Sequence, residues 1–218
     1  MASLRADTQQ AERGALNPKM FNSCLDGGKP SFEGSAVSNA TGLGVPSSDL
    51  ETDGRTLPYD IRMGVWVTAE GETEYLRPCI EEYNAHTDPS GRCFTLYKRC
   101  HLIGREMGLS VASVALRGEP TGAATGWNTD VVATAKRDLQ AGEGLDGEGG
   151  WTAWGQLLPA AKSLQSGGLP LGPAHGIALL RPVREGQTLS WDDVAVDTRT
   201  EACRLRREME RRFSSTAG

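Results

Sequence analysis

Read for the spacing of its apolar and polar positions, the chain changes texture several times. Residues 1–16 are small and polar with no hydrophobic period, which predicts a frayed N-terminus or a helix without its packing partner. Phe32, Ala36, Val37 and Ala40 then recur at helical spacing, with Gly42 where a C-cap falls, so a helix over 31–42 is expected. Residues 44–62, rich in Gly, Pro, Ser and Asp, read as a loop. The β-branched and aromatic run at 64–69 predicts a strand. Leu76, Ile80 and Tyr83 share one face of a short helix over 75–83, and Asp88-Pro89-Ser90-Gly91 is a turn leading into a strand at 93–97. The longest helical pattern is 101–116, where Leu102, Ile103, Met107, Val111, Val114 and Ala115 make a broad apolar stripe. Residues 118–130 read as a linker.

From Asp130 the pattern turns to short apolar runs between Gly and Pro, the texture of β-structure. These runs repeat. A shift of 44 positions lays Arg137 on Arg181, Leu139 on Val183, Gly142 on Gly186 and Leu145 on Leu189. Each copy is a strand, a basic residue, an apolar residue and a turn glycine suited to positive φ, which predicts a module with pseudo-twofold symmetry. The densely charged stretch 201–213 is expected as a solvated tail helix.

Composition narrows the function classes. Hydrophobic residues at 38% and charged residues at 23% suit a globular chain. The net charge of −5 repels phosphate backbones, so no nucleic-acid partner is expected. No run approaches the length of a membrane span and no secretory leader pattern opens the chain, so a cytoplasmic protein without a membrane partner is expected. Five scattered cysteines with no C-x-x-C pair offer neither a disulfide framework nor a zinc site.

Gly142, Gly144 and Gly147 spell the dinucleotide fingerprint, but Glu148-Gly149-Gly150-Trp151 cannot open the helix that cradles a pyrophosphate, and Glu143, Asp146 and Glu148 would face its phosphates. These glycines are read as turn residues. The segment richest in chemistry is 17–29, where Lys19, Asp26 and Lys29 surround the Gly27-Gly28 turn. A partly desolvated lysine can polarise a carbonyl, bind phosphate or move a proton, and a neighbouring Asp can orient it; the alternative is an exposed polar loop. His101, just after Lys98 and Arg99, suits an anion at a helix N-terminus or a capping role. No metal-ligand spacing stands out.

The runs from Asn17 to Lys29, Ser38-Asn39-Ala40-Thr41-Gly42-Leu43, His101-Leu102-Ile103-Gly104, Leu116-Arg117-Gly118-Glu119-Pro120-Thr121-Gly122 and Val131 to Leu139 resemble the C-terminal half of homoserine-dehydrogenase-like NAD(P)-dependent oxidoreductases that end in an SAF domain, the deoxyxylulose-phosphate reductoisomerase-like group. Where that family has Asp-Gly-Thr-Lys, this chain has Asp26-Gly27-Gly28-Lys29 followed by Pro30. The resemblance implies an α+β protein with a substrate and oligomerisation region over 17–122 and an SAF-like β-clip over 123–198, followed by the charged tail helix over 199–218. It implies Lys19, Asp26, Lys29 and His101 as site residues, and a small hydroxy or keto substrate, phosphorylated or not. The chain itself is expected to bind no cofactor, the family's NAD(P) belonging to a Rossmann domain, and to be inactive alone. Expected partners are a Rossmann-domain chain and further copies of itself. The competing reading is a non-catalytic SAF-type module that binds a small ligand or a subunit.

Overall fold

The computed structural model describes residues 17–45, 65–83, 86–98 and 103–214. Helices and strands are mixed in an α+β chain, and the division into compact units is not linear. One unit joins residues 1–51 to 122–218; the other is residues 52–121.

The first unit opens with helix α1 (Pro18–Leu25). Its start follows from sequence: Asn17 caps it by accepting from the Lys19 amide at 3.0 Å, and Pro18 occupies a first-turn position where a missing N–H costs nothing. Helix α2 (Gly28–Thr41) follows after a two-residue turn and ends at Gly42, whose φ of +77° makes the expected left-handed cap. Its buried face is made of small residues. Gly28, Ser31, Ser35 and Ser38 face inward, while Phe32, Ala36 and Val37 are exposed. The reason is close approach. A Cβ on Gly155 of the underlying sheet would sit 3.5 Å from the Gly28 Cα, so only small side chains fit beneath the helix. The serine hydroxyls satisfy themselves on carbonyls, Ser31 on Gly27 at 2.8 Å and Ser35 on Thr129 at 3.4 Å.

The sheet beneath α2 pairs β4 (Thr129–Ala135) with β6 (Ala153–Pro159) antiparallel, in register from Thr129↔Pro159 to Ala135↔Ala153. Strand β4 is buried along its whole length, as expected for a strand covered on both faces. Beyond it lie β5 (Gly144–Asp146), the short helix α5 (Ala160–Ser166) and β7 (His175–Ala178), with β5 paired to β7. Leu139, Leu169, Leu171, Leu179, Val183 and Leu189 fill the core at no more than 2% exposure.

The repeat is written into the hydrogen bonds. Leu139 and Val183, equivalent under the 44-residue shift, donate to each other's carbonyls at 2.8 and 3.0 Å. The Gly142 amide donates to Leu179 O at 2.7 Å, and the Gly186 amide to Ala135 O at 2.9 Å; each bond is the other with the copies exchanged. Both glycines have positive φ, +83° and +78°. A local twofold axis therefore passes through the Leu139–Val183 bridge.

Helix α6 (Glu201–Ser214) is not solvated as the charge run predicts. Cys203 is 3% exposed, and Arg206 forms an ion pair with buried Asp130 and lies 4.8 Å over the Trp127 ring. Arg207 stacks 4.2 Å over Trp191, and Trp191 Nε1 donates to Glu210 at 3.1 Å. Arg206, Arg207 and Glu210 thus dock one face of the helix, while Glu201, Arg204, Arg211 and Arg212 stay exposed on the other.

The second unit is a three-stranded antiparallel sheet of β1 (Val65–Glu70), β2 (His86–Thr87) and β3 (Cys93–Lys98), in the order β1-β3-β2, with helices α3 (Leu76–Glu82) and α4 (Ile103–Arg117). The Asp88 carboxylate closes the β2–β3 turn. A hydrogen bond from the Ser90 hydroxyl, then one from the Cys93 amide, lowers its pKa to about 2. Among the described residues this unit buries no hydrophobic side chain. On α4, Met107, Leu109, Val111, Val114 and Leu116 are all at least 58% exposed, although they spread around much of the helix.

Candidate functional site

The turn between α1 and α2 is held from the opposite strand. Gly27 has φ +89°, a conformation glycine adopts without strain, and a Cβ there would touch the Trp154 ring at 3.8 Å. Asp26, just before it, spends both carboxylate oxygens. Oδ1 accepts the Gly28 amide at 2.8 Å and so caps the first turn of α2, which no N-cap side chain does. Oδ2 accepts Lys136 Nζ at 2.6 Å, and the pair is 15% and 20% exposed at the side chains. Lys136 leads out of β4, and its ammonium also donates to Gly150 O at 2.5 Å.

The glycine loop after β5 clasps the same turn. Lys19 Nζ donates to Asp146 O at 2.7 Å and Asn22 Nδ2 to Gly149 O at 3.3 Å. His175 Nδ1 lies 3.0 Å from the same Asp146 carbonyl. The approach needs glycine: a Cβ on Gly149 would overlap the Lys19 carbonyl, and one on Gly150 the Asp146 carboxylate. That carboxylate accepts from the Thr152 hydroxyl and from the amides of Trp151 and Thr152. Burial pushes its pKa up, but these donors outweigh it and hold the group below the usual carboxylate range.

Of the residues singled out from sequence, Lys19 and Asp26 both join this arrangement, but through different partners. Asp26 pairs with neither Lys19 nor Lys29. Lys29 stands in the first turn of α2, 37% exposed at its side chain, and among the described residues its ionic partner is Glu33 alone, at 4.0 Å. It is thus the cation of the turn least engaged by the protein. It borders the exposed face of α2 carrying Phe32 and Val37. His101 lies outside the described residues. Lys136 was missed. The only trace in the sequence is that the second copy of the repeat has Leu180 at the equivalent position, a break in the symmetry.

The glycines that spell the dinucleotide fingerprint open no helix. Gly144 lies in β5, residues 147–152 turn back on themselves, and a strand follows where the phosphate-binding helix would start. Among the described residues there is no cluster of His, Cys, Asp and Glu able to hold a metal ion, and no helix is long and apolar enough to cross a membrane. The arrangement can present one loosely held ammonium, backed by a rigid ion pair, to an anion or a carbonyl oxygen.

No curated protein matches the chain. Residues 2–58, a stretch that contains Lys19, Asp26 and Lys29, match the family model described as Oxidoreductase DRL, catalytic domain, and support for the chain is therefore that of an oxidoreductase-like protein.

Proposed function

We propose that this chain is the substrate-side portion of an NAD(P)-dependent oxidoreductase of the homoserine-dehydrogenase-like group, and that the module over 123–198 is its SAF-like domain. Lys29 holds or polarises the oxygen of a small hydroxy or keto compound, phosphorylated or not. The observation that carries this reading is the state of the three cations at the turn. Lys19 and Lys136 spend their ammonium groups on carbonyls and on Asp26, while Lys29 keeps its own for a ligand, inside the stretch that matches the oxidoreductase model. The described glycine turns lead into a strand rather than a phosphate-binding helix, which supports a reading in which NAD(P), the source of the hydride chemistry, would be held by a separate Rossmann domain. This chain's residues bind and orient the substrate. The test is titration of the chain with dihydroxyacetone phosphate, a small phosphorylated hydroxyketone, followed by amide NMR. Shifts should concentrate at Gly28 and Lys29 and vanish in Lys29→Met. Binding indifferent to that substitution removes Lys29 from the site.

A second reading, subunit interaction, is favoured by α4. A helix apolar around much of its circumference belongs inside an assembly rather than on a surface. In this reading a second copy covers it. Sedimentation velocity should then show a dimer that Leu109→Glu with Leu116→Glu converts to monomer.

A further inference from the structure

We infer that Lys136, a residue of the C-terminal module, is a positioning residue for Lys29, acting through Asp26; the inference rests on the substrate-side reading above. The chain of contacts is short and continuous. Lys136 Nζ is fixed by two acceptors, Asp26 Oδ2 at 2.6 Å and Gly150 O at 2.5 Å. Asp26 is therefore held at one oxygen while the other receives the Gly28 amide at 2.8 Å. Gly28 precedes Lys29 and begins α2. The direction in which Lys29 leaves the helix is set by that first turn, which has no side-chain N-cap of its own.

Two further features show that the contact is built rather than incidental. Both partners are largely buried, so an ion pair here persists only because each charge has a second hydrogen-bond partner. The loop carrying Gly150 O is brought in by two glycines whose replacement would overlap Lys19 and Asp146. Position 180, the symmetry mate of Lys136, is a leucine that is 60% exposed and has no such task. The lysine thus belongs to the site and not to the symmetric architecture of the module.

The experiment compares the full chain with Lys136→Met, Lys136→Arg, Lys29→Met and Asp26→Asn. It has two readouts: affinity for dihydroxyacetone phosphate, and hydrogen exchange of the Gly28 amide. Lys136→Met should weaken binding about ten- to a hundredfold, the scale expected when a binding group is misplaced by about an ångström. It should speed Gly28 exchange while leaving the Ser35 and Val37 amides of α2 unchanged. Lys136→Arg should restore most of both. The double variant Lys136→Met with Asp26→Asn should bind no more weakly than the worse single variant, because both act on one contact. Wild-type affinity and Gly28 protection in Lys136→Met overturn the inference. If that variant does not fold, Asp26→Asn decides, since it keeps an acceptor for the Gly28 amide and loses only the ion pair. Loss of binding in Lys29→Met alone upholds the substrate-side reading and sinks the role of Lys136. Absence of any binding by wild type sinks that reading, and the exchange measurement still decides whether Lys136 sets the turn.

Discussion

Arg206→Met tests whether the charged C-terminal helix is part of the fold. The substitution keeps an unbranched apolar stem and removes the guanidinium. Asp130, 5% exposed, then loses Nη1 at 2.9 Å and the N–H donated by Nη2. It keeps the Ser163 hydroxyl at 2.5 Å and the Val131 amide at 3.0 Å. Removing one partner of a buried ion pair costs about 3–5 kcal/mol, because the remaining charge is stranded. The lower end applies here, as Asp130 retains two donors. The stacking of the guanidinium over Trp127 at 4.8 Å is lost as well, roughly 1 kcal/mol more at most. A destabilisation of about 3 kcal/mol is expected, equivalent to about 6–12 °C in Tm for a chain of this size. Urea unfolding followed by near-UV circular dichroism reads it. Arg199→Ala is the control. Its pair with Asp197 is 89% and 52% exposed, and a surface pair of that kind is worth no more than about 1 kcal/mol. If Arg206→Met costs no more than Arg199→Ala, the helix is an appendage and the argument from burial is wrong.

Gly142→Ala and Gly186→Ala meet open space, so each should cost only the strain of positive φ, about 1 kcal/mol, and the two costs should agree; clearly unequal values in denaturant titrations speak against the shared geometry. Asp146 and Asp193 are both held below the usual carboxylate range. In each, burial pushes upward and is outweighed, at Asp146 by Thr152 and nearby amides and at Asp193 by Ser190 and Arg181. A depressed folded pKa gives stability that is complete above the unfolded value of about 4 and lost as pH falls through the folded one, so unfolding midpoints should drop below about pH 4. Asp146→Asn and Asp193→Asn should each flatten that drop, and an unchanged pH profile would count against the hydrogen-bond assignment. Titration calorimetry with NADH and NADPH should show no binding to this chain; micromolar affinity for either would overturn the reading of Gly142, Gly144 and Gly147 as turn residues.

Most elements were legible because local rules agreed with the fold. The strand at 65–70, the Asp88 turn and the helix at 103–117 follow from periodicity and turn chemistry, and the repeat from a constant offset. Helix α1 was hidden behind its chemistry: Asn17-Pro18 is a cap and first-turn pair, but the lysines drew the reading toward a loop. The helical spacing of Phe32, Ala36 and Val37 located α2, but spacing alone does not say which face is buried. The close approach at Gly155 decided for the serines instead. Helix α6 was misjudged because a charge run does not show whether its partners are water or, as here, Asp130 and Trp191. Lys19, Asp26 and Lys29 were readable as candidates because they share one segment. Lys136 was not, since its contact with Asp26 spans 110 residues and no local pattern carries it.

The same helix α2 also settles how the chain accommodates its middle. Asn39 O accepts the amides of Thr125 and Gly126 at 2.9 and 3.3 Å, and its side chain accepts those of Asn128 and Thr129 at 2.7 and 3.0 Å. The chain that departs after α2 and the chain that returns before β4 are therefore stitched together at the root. Residues 52–121 are, in topological terms, a guest held in a closed loop of the host. Closing such a loop costs little more for a long guest than for a short one. A change in the length of residues 52–121 therefore adds little to the entropy of closing that loop, whose two ends are pinned by Asn39 within the host.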